Sequence, residues 1–271
     1  MTSHLFAAVD LGATSGRVIA GRLADDRFAL TDVRRFATPT LTIENHLHWD
    51  VTALRDQIAW GVRAAGALDH LAGVGVDTWG VDYGRLNPAG DLLEPPYHYR
   101  DHRTNGVPEA FFATWPPDWL YREAGLQTLE FNTVFQYVSA ADDPGWADTD
   151  RCLLLPDLFT YWLSGAKGAE LTIASTTGLL DVSRRQWSAS TLTHLRTRYG
   201  LDLTPKLPPI VEPGSVVGAL DPAILPGQTP VIAVGSHDTA SAIASIPATT
   251  RRFAYISSGT WSLVGLELDE P

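Results

Sequence analysis

The chain alternates short apolar runs with glycine- and proline-marked breaks, a pattern that predicts strands interleaved with helices. Residues 5–11 are apolar apart from Asp10 and predict a buried strand, and 17–23 and 27–36 predict a second and a third. Between the first two, Gly12-Ala13-Thr14-Ser15-Gly16 supplies the small residues of a tight hairpin. Val51, Leu54, Ile58, Val62, Ala65 and Leu68 then recur at steps of three and four, one helix face with Asp50 as its N-cap. Residues 73–77 predict a short buried strand, with 83–86 pairing beyond it. Residues 108–129 are amphipathic but interrupted at Pro116-Pro117, which predicts helix, break, helix. Another helix starts within 131–141, a buried strand covers 153–156, and Asp157 is placed to cap a helix ended by Gly165. A helix over 191–199 leads into 203–230, a proline-punctuated connection. Residues 231–234 predict a buried strand feeding a small-residue helix at 238–246. Strands at 254–257 and 261–266 flank Ser257-Ser258-Gly259-Thr260 as a second hairpin. The two hairpins share one design, as two related halves of a two-domain protein would, although the second half has barely begun at residue 271.

Composition then removes several chemistries. With 271 residues, 45% of them hydrophobic, the chain can bury a sizeable core. Its formal net charge of −11 argues against nucleic acid as a partner. The only lysines are Lys167 and Lys206, and neither closes a G-x-x-x-x-G-K-[ST] loop, so a P-loop NTPase is excluded. Cys152 is the single cysteine and sits in an apolar run, which excludes an internal disulfide or a cysteine zinc cluster and predicts a buried, inert thiol. Eight histidines include no His-Glu-x-x-His frame. There is neither a membrane-length apolar run nor a secretory signal pattern, so the expectation is a cytoplasmic enzyme without a membrane partner.

The chemistry that remains gathers in a few segments. The first hairpin exposes backbone N–H groups, adds the hydroxyls of Thr14 and Ser15 and ends on Arg17, a set that holds phosphate without lysine. Asp10, ending a strand, can hold a hydrated Mg²⁺. A plain hairpin with a capping aspartate is the alternative. Ser257 to Thr260 repeat the donor-rich turn, which suggests two faces of one phosphate cleft. His237 and Asp238 stand where a strand enters a helix, the end of an α/β sheet where ligands bind; Asp238 is then a charged acceptor or only a helix cap. In Asp77-Thr78-Trp79-Gly80-Val81-Asp82, Trp79 can stack on a sugar face and Gly80 can admit a hydroxyl, or Trp79 can be core. Tyr99-Arg100-Asp101-His102-Arg103 suits an anion, a sugar or, more safely, an internal Arg–Asp network.

Together these segments, with Phe131-Asn132-Thr133-Val134-Phe135-Gln136 and Leu155-Pro156-Asp157, resemble the FGGY carbohydrate kinase family along essentially the whole chain. The resemblance implies an α/β, ribonuclease H-like (actin-like ATPase) fold with a mixed sheet flanked by helices. It implies an N-terminal sugar-binding domain over 1–247 and, from 248 to 271, the start of a C-terminal, adenosine-binding domain. The reaction implied moves the γ-phosphoryl of ATP to a primary hydroxyl, here O1 of L-rhamnulose. A different ketose such as L-fuculose, or a non-catalytic sugar-binding fragment, remains the alternative. By the same resemblance Asp238 is the proton acceptor, and Trp79, Gly80, His237, Asp238 and Thr239 lie against the sugar. Ala13, Thr14, Ser15, Gly16, Arg17 and Thr260 line the ATP phosphates, and Asp10 holds Mg²⁺ through water. The family's chains are about twice as long. The expectation is therefore an incomplete N-terminal portion, inactive alone, that lacks its second half or pairs its last hairpin with another chain.

Overall fold

The computed structural model describes residues 3–259 and 261–268. Its centre is a six-stranded mixed sheet that begins with β1 (Ser3–Leu11), β2 (Ser15–Ala24) and β3 (Arg27–Ala37). A small hairpin of β4 (Thr40–Ile43) and β5 (His46–Trp49) leads to α1 (Val51–Gly66) and β6 (Leu71–Thr78). The chain continues through β7 (Tyr83–Leu86), α2 (Val107–Phe112), α3 (Pro117–Ala124), α4 (Thr133–Ser139), β8 (Arg151–Leu154) and α5 (Leu155–Ser164). It then forms β9 (Ala169–Glu170), α6 (Leu171–Ala174), β10 (Leu180–Asp181), β11 (Gln186–Trp187), α7 (Ala189–Tyr199) and β12 (Ile210–Val211). Last come β13 (Ser215–Ala219), β14 (Pro230–Ala233), α8 (Asp238–Ala244), β15 (Ala254–Ser258) and β16 (Ser262–Leu266).

Strand order is β13-β14-β6-β1-β2-β3. The β1–β2–β3 meander is antiparallel, β1 and β14 each run parallel to β6, and β13 returns antiparallel at the far edge. Leu5, Ala7, Val9 and Leu11 of β1 alternate into the core with Val18 and Ala20 of β2, as a period of two requires. They meet Val51, Leu54, Ile58, Val62 and Ala65 of α1. Gly61 lets that helix lie close, since a Cβ there would sit 2.4 Å from Val18 Cγ2. A second core joins α2, α3, α4, α6 and α7 around Phe111, Phe135 and Tyr137.

Several elements depart from the pattern-based expectation. β7 pairs with β8, not beyond β6, because Val81, at φ 71°, turns the chain out of the main sheet. The helix after β8 begins at Leu155: its N-cap is Leu154, and Pro156 occupies the first turn that proline favours. Asp157 therefore does not cap; it lies inside the first turn, buried, accepting from Glu170 N at 3.0 Å. α1 stops at Gly66 and leaves Leu68 exposed. The connection 203–230 contains β12 and the edge strand β13, hidden in sequence by their lack of alternation. The β4–β5 hairpin is a further departure: Thr40-Leu41-Thr42-Ile43 and His46-Leu47-His48-Trp49 alternate polar with apolar around Glu44 and Asn45, both at positive φ, a hairpin the expectation omits.

Candidate functional site

The site lies at the carboxyl ends of β1 and β6 and just past β14. Asp10 on β1 is the parallel register partner of Asp77 on β6. One residue on, Thr78 forms a parallel bridge to His237, and its N–H donates to Ser236 O at 2.9 Å. The segments Thr78-Trp79-Gly80 and His237-Asp238-Thr239, distant in sequence, thus run side by side.

Asp238 is the first residue of α8, and the N-cap is His237 without a side-chain bond. The capping alternative for Asp238 therefore fails. Its Oδ1 accepts from Thr239 N at 2.6 Å and from Thr239 Oγ1 at 3.2 Å, with His237 Nε2 3.5 Å away. Oδ2 takes no hydrogen bond among the described residues, and the side chain is 39% exposed. Burial holds the His237 ring below its usual pKa, against the opposing pull of Asp238. Burial thus favours a neutral imidazole beside a carboxyl group that has one oxygen open to a ligand.

Asp10 pairs across the hairpin with Arg17, whose Nη2 lies 2.5 Å from Oδ2. Asp77 makes no hydrogen bond through its carboxylate among the described residues. Its pKa is raised well above the usual range by burial first, then by the charges of Asp10 and Asp238. The sequence alone assigns Asp77 no role, although an acid near the end of an apolar strand is the same signal that marks Asp10. Thr14 and Ser15 are exposed, Ala13 packs partly against the core and Gly16 is buried beneath Phe36. The turn is closed by Gly12 N donating to Ser15 O at 2.9 Å. Ser257 and Ser258 are the last paired residues of β15, not turn residues as expected, and Gly259 follows them; the β15–β16 hairpin reaches the body of the molecule where Trp261 meets Phe131, centroids 5.8 Å apart. Thr260 lies outside the described residues.

Trp79 is buried against Trp49, their ring centroids 4.2 Å apart and their planes tilted by 42°. Both indole N–H groups donate to Oδ2 of Asp82, from Trp49 at 2.6 Å and from Trp79 at 2.9 Å. Gln136 Nε2 donates to Asp82 Oδ1 at 2.9 Å. The polar edge of Trp79 is therefore committed within the protein, and most of its ring is core. Burial pushes Asp82 up to about 6 despite these donors. Gly80 cannot carry a side chain without moving Thr176, since a Cβ would come within 2.9 Å of its Cγ2. Val81 is held at its positive φ by Thr133 Oγ1 donating to its carbonyl at 2.7 Å and by donating its own N–H to Thr176 Oγ1 at 3.1 Å. A β-branched residue there is a strained conformer that surrounding contacts must impose.

Residues 99–103 form an internal network. Asp101 accepts from Leu47 N, Arg103 N and His46 Nδ1, each at 2.8–2.9 Å, and Arg103 spans Tyr97 and Gln136. His46, Asp101 and His102 cluster closely, but the two imidazoles stack only 10° from parallel, so their ring planes do not meet at one metal position. Cys152 is buried and its thiol is pushed up to about 12 by burial, the inert state its context predicted. A cavity of about 600 Å³ bordered by Arg55, Tyr161, Trp162 and Asp221 contains none of the candidate residues. Among the described residues no helix is long and apolar enough to cross a membrane.

Comparison with known proteins follows this geometry. The model of the N-terminal domain of the FGGY family of carbohydrate kinases matches residues 5–244. A rhamnulokinase of Bacteroides thetaiotaomicron is 39% identical over 273 aligned residues, covering 98% of this chain and 55% of its own length. The chain spans about half the length of the curated relatives it matches. Among solved structures, a carbohydrate kinase of Novosphingobium aromaticivorans superposes with a TM-score of 0.83 at 20% identity, covering all of this chain and 57% of that one. A glycerol kinase of Plasmodium falciparum with ADP gives 0.66 at 14% identity, covering 85% and 48%. These likenesses show a shared actin-like ATPase fold.

Proposed function

Because the chain belongs to the FGGY family of carbohydrate kinases, we propose that it is the sugar-binding portion of a kinase that transfers the γ-phosphoryl of ATP to O1 of L-rhamnulose. The observation that carries this reading is the open Oδ2 of Asp238 beside the paired strand-end acids Asp10 and Asp77. The substrate rests on the rhamnulokinase relatives.

An alcohol is too weak an acid to ionise before attack, so the acceptor must be aligned and deprotonated as the P–O bond forms. Asp238 aligns O1 and takes its proton on the free Oδ2. Gly80, His237 and Thr239 hold the sugar, and the small part of the Trp79 ring left uncovered, away from its N–H, borders it. Ala13 to Arg17, with Thr260, border the phosphates of ATP. Residues 1–247 form the sugar domain, and 248–271 begin the adenosine-binding one. The donor set fits a divalent cation: among the described residues Arg17 is the one cation beside Asp10, Asp77 and Asp238, and burial, then the charges of Asp10 and Asp238, raise Asp77. Asp10 would hold Mg²⁺ through water, and the ion would neutralise the phosphate oxygens when bound. Such a kinase works in the cytoplasm, where ATP is available.

Half the length of the relatives favours a chain that binds sugar but needs more polypeptide for turnover. ADP release should be followed with ATP, Mg²⁺ and L-rhamnulose or L-fuculose, using the chain alone and with the C-terminal half of a curated relative added. Transfer only with the second half, preferring L-rhamnulose and abolished by Asp238→Asn while sugar binding persists, is the expected result. Full activity of Asp238→Asn would reject the role of that acid, and a preference for L-fuculose would reject the substrate.

A further inference from the structure

Two N–H groups immediately before Asp238 are gripped by residues from a different part of the fold. Glu170, 1% exposed, is the N-cap of α6. Its Oε1 accepts from Thr172 N at 2.9 Å, and its Oε2 accepts from Thr172 Oγ1 at 2.5 Å, Ile173 N at 3.2 Å and Ser236 N at 2.9 Å. Thr172 Oγ1 in turn accepts from His237 N at 3.2 Å. The segment is held on its other side by Thr78 N donating to Ser236 O at 2.9 Å and by Ser241 Oγ donating to Gly235 O at 2.5 Å.

A buried carboxylate without a cation is costly unless N–H and O–H donors surround it. Among the described residues Glu170 has no cationic partner; its four donors do that work. Three of them are local to α6 and would serve an ordinary helix cap. The fourth, Ser236 N, and the relay through Thr172 to His237 N lie 65 residues or more away. Helix capping does not require them. What they do is fix successive peptide planes ahead of Asp238, whose carboxylate, among the described residues, accepts hydrogen bonds from its own neighbour Thr239 alone.

We propose that Glu170 and Thr172 are positioning residues for the acceptor site, setting where His237, Asp238 and Thr239 stand by clamping the Ser236 and His237 N–H groups. The proposal rests on the sugar-kinase reading above. Reactions and recognition of this kind are sensitive to placement, a displacement of about 1 Å costing on the order of 100-fold.

Thr172→Val tests it, because the substitution keeps volume and removes the acceptor that holds His237 N. Calorimetric titration of the chain with L-rhamnulose should give a Kd for Thr172→Val raised about ten-fold or more. Thr172→Ser, which retains the hydroxyl, should bind as the wild type does. Amide hydrogen exchange should accelerate at His237 in Thr172→Val, and at both Ser236 and His237 in Glu170→Gln, with the rest of the sheet unchanged. If wild type binds L-rhamnulose and Thr172→Val binds equally well, the positioning role is overturned while the sugar reading stands. If wild type binds no L-rhamnulose, the sugar reading falls and the positioning role falls with it. Unchanged exchange at Ser236 and His237 in both variants would remove the clamp itself.

Discussion

Asp10 and Asp77 are register partners on adjacent parallel strands, and among the described residues Arg17 ion-pairs with Asp10 while acting on Asp77 only from a distance. The pair concentrates negative charge where two strands end, with Asp238 close enough to add to it. Such an arrangement opposes its own folding unless a cation is supplied.

Asp77→Asn should therefore stabilise the isolated chain at pH 7.5. A carboxyl whose pKa is raised on folding stabilises below its unfolded value and loses that contribution as pH rises through the folded value. Wild type should lose stability toward pH 8 through this group, and Asp77→Asn should not. Urea unfolding between pH 5 and 8 measures it. An asparagine variant weaker than wild type at pH 8 would contradict the argument.

Two groups around Trp49 oppose each other in acid. Asp82, pushed up to about 6 by burial, takes a proton in the folded state first, so its contribution grows as pH falls from 6 toward 3.8. His98 stacks on Trp49 at 3.8 Å and is lowered to about 4 by burial and then by Arg100. The unfolded chain protonates it first, so its contribution is present above 6.5 and is lost as pH falls through 4. Each effect is worth about 1–2 kcal/mol by pH 5. Between pH 7.5 and 5, His98→Gln should gain stability relative to wild type, and Asp82→Asn should lose it. Parallel pH profiles for all three proteins would dismiss the opposition.

Gly80→Ala should cost about 1–3 kcal/mol by overpacking against Thr176. Thr176→Ser removes the methyl nearest the added Cβ and should recover part of that cost in the double variant. A chemical-denaturation cycle over the four proteins reads the coupling, and strict additivity would show that the two side chains do not meet.

Ile256 and Val264 are direct cross-strand partners on β15 and β16, 74% and 77% exposed. With Leu266 at 65%, they form an uncovered apolar face, the kind of surface that self-associates. Light scattering of the chain should show mass rising with concentration, and Ile256→Lys with Val264→Lys should suppress it without moving the thermal midpoint. A concentration-independent mass in wild type would refute this.

The amino-acid order alone determined what depends on neighbours a few residues apart. The strand ending at Asp10, the donor-rich first turn, the apolar face from Val51 to Ala65 and the strand-to-helix entry at Asp238 all follow from local periodicity and turn chemistry. Tertiary structure decided what depends on residues far apart in the chain. Asp77 acquires its meaning from Asp10 across a parallel pair, Trp79 is drawn inward because Trp49 shares Asp82 with it, and Glu170 reaches Ser236 N across 66 residues. β13 was hidden for a related reason: an edge strand is held by backbone pairing and its Ser-Val-Val-Gly-Ala run carries no hydrophobic period, whereas the β4–β5 hairpin was legible in its alternation on either side of Glu44-Asn45. A buried polar group is satisfied by whichever donor the fold delivers, and no local pattern records which one that will be.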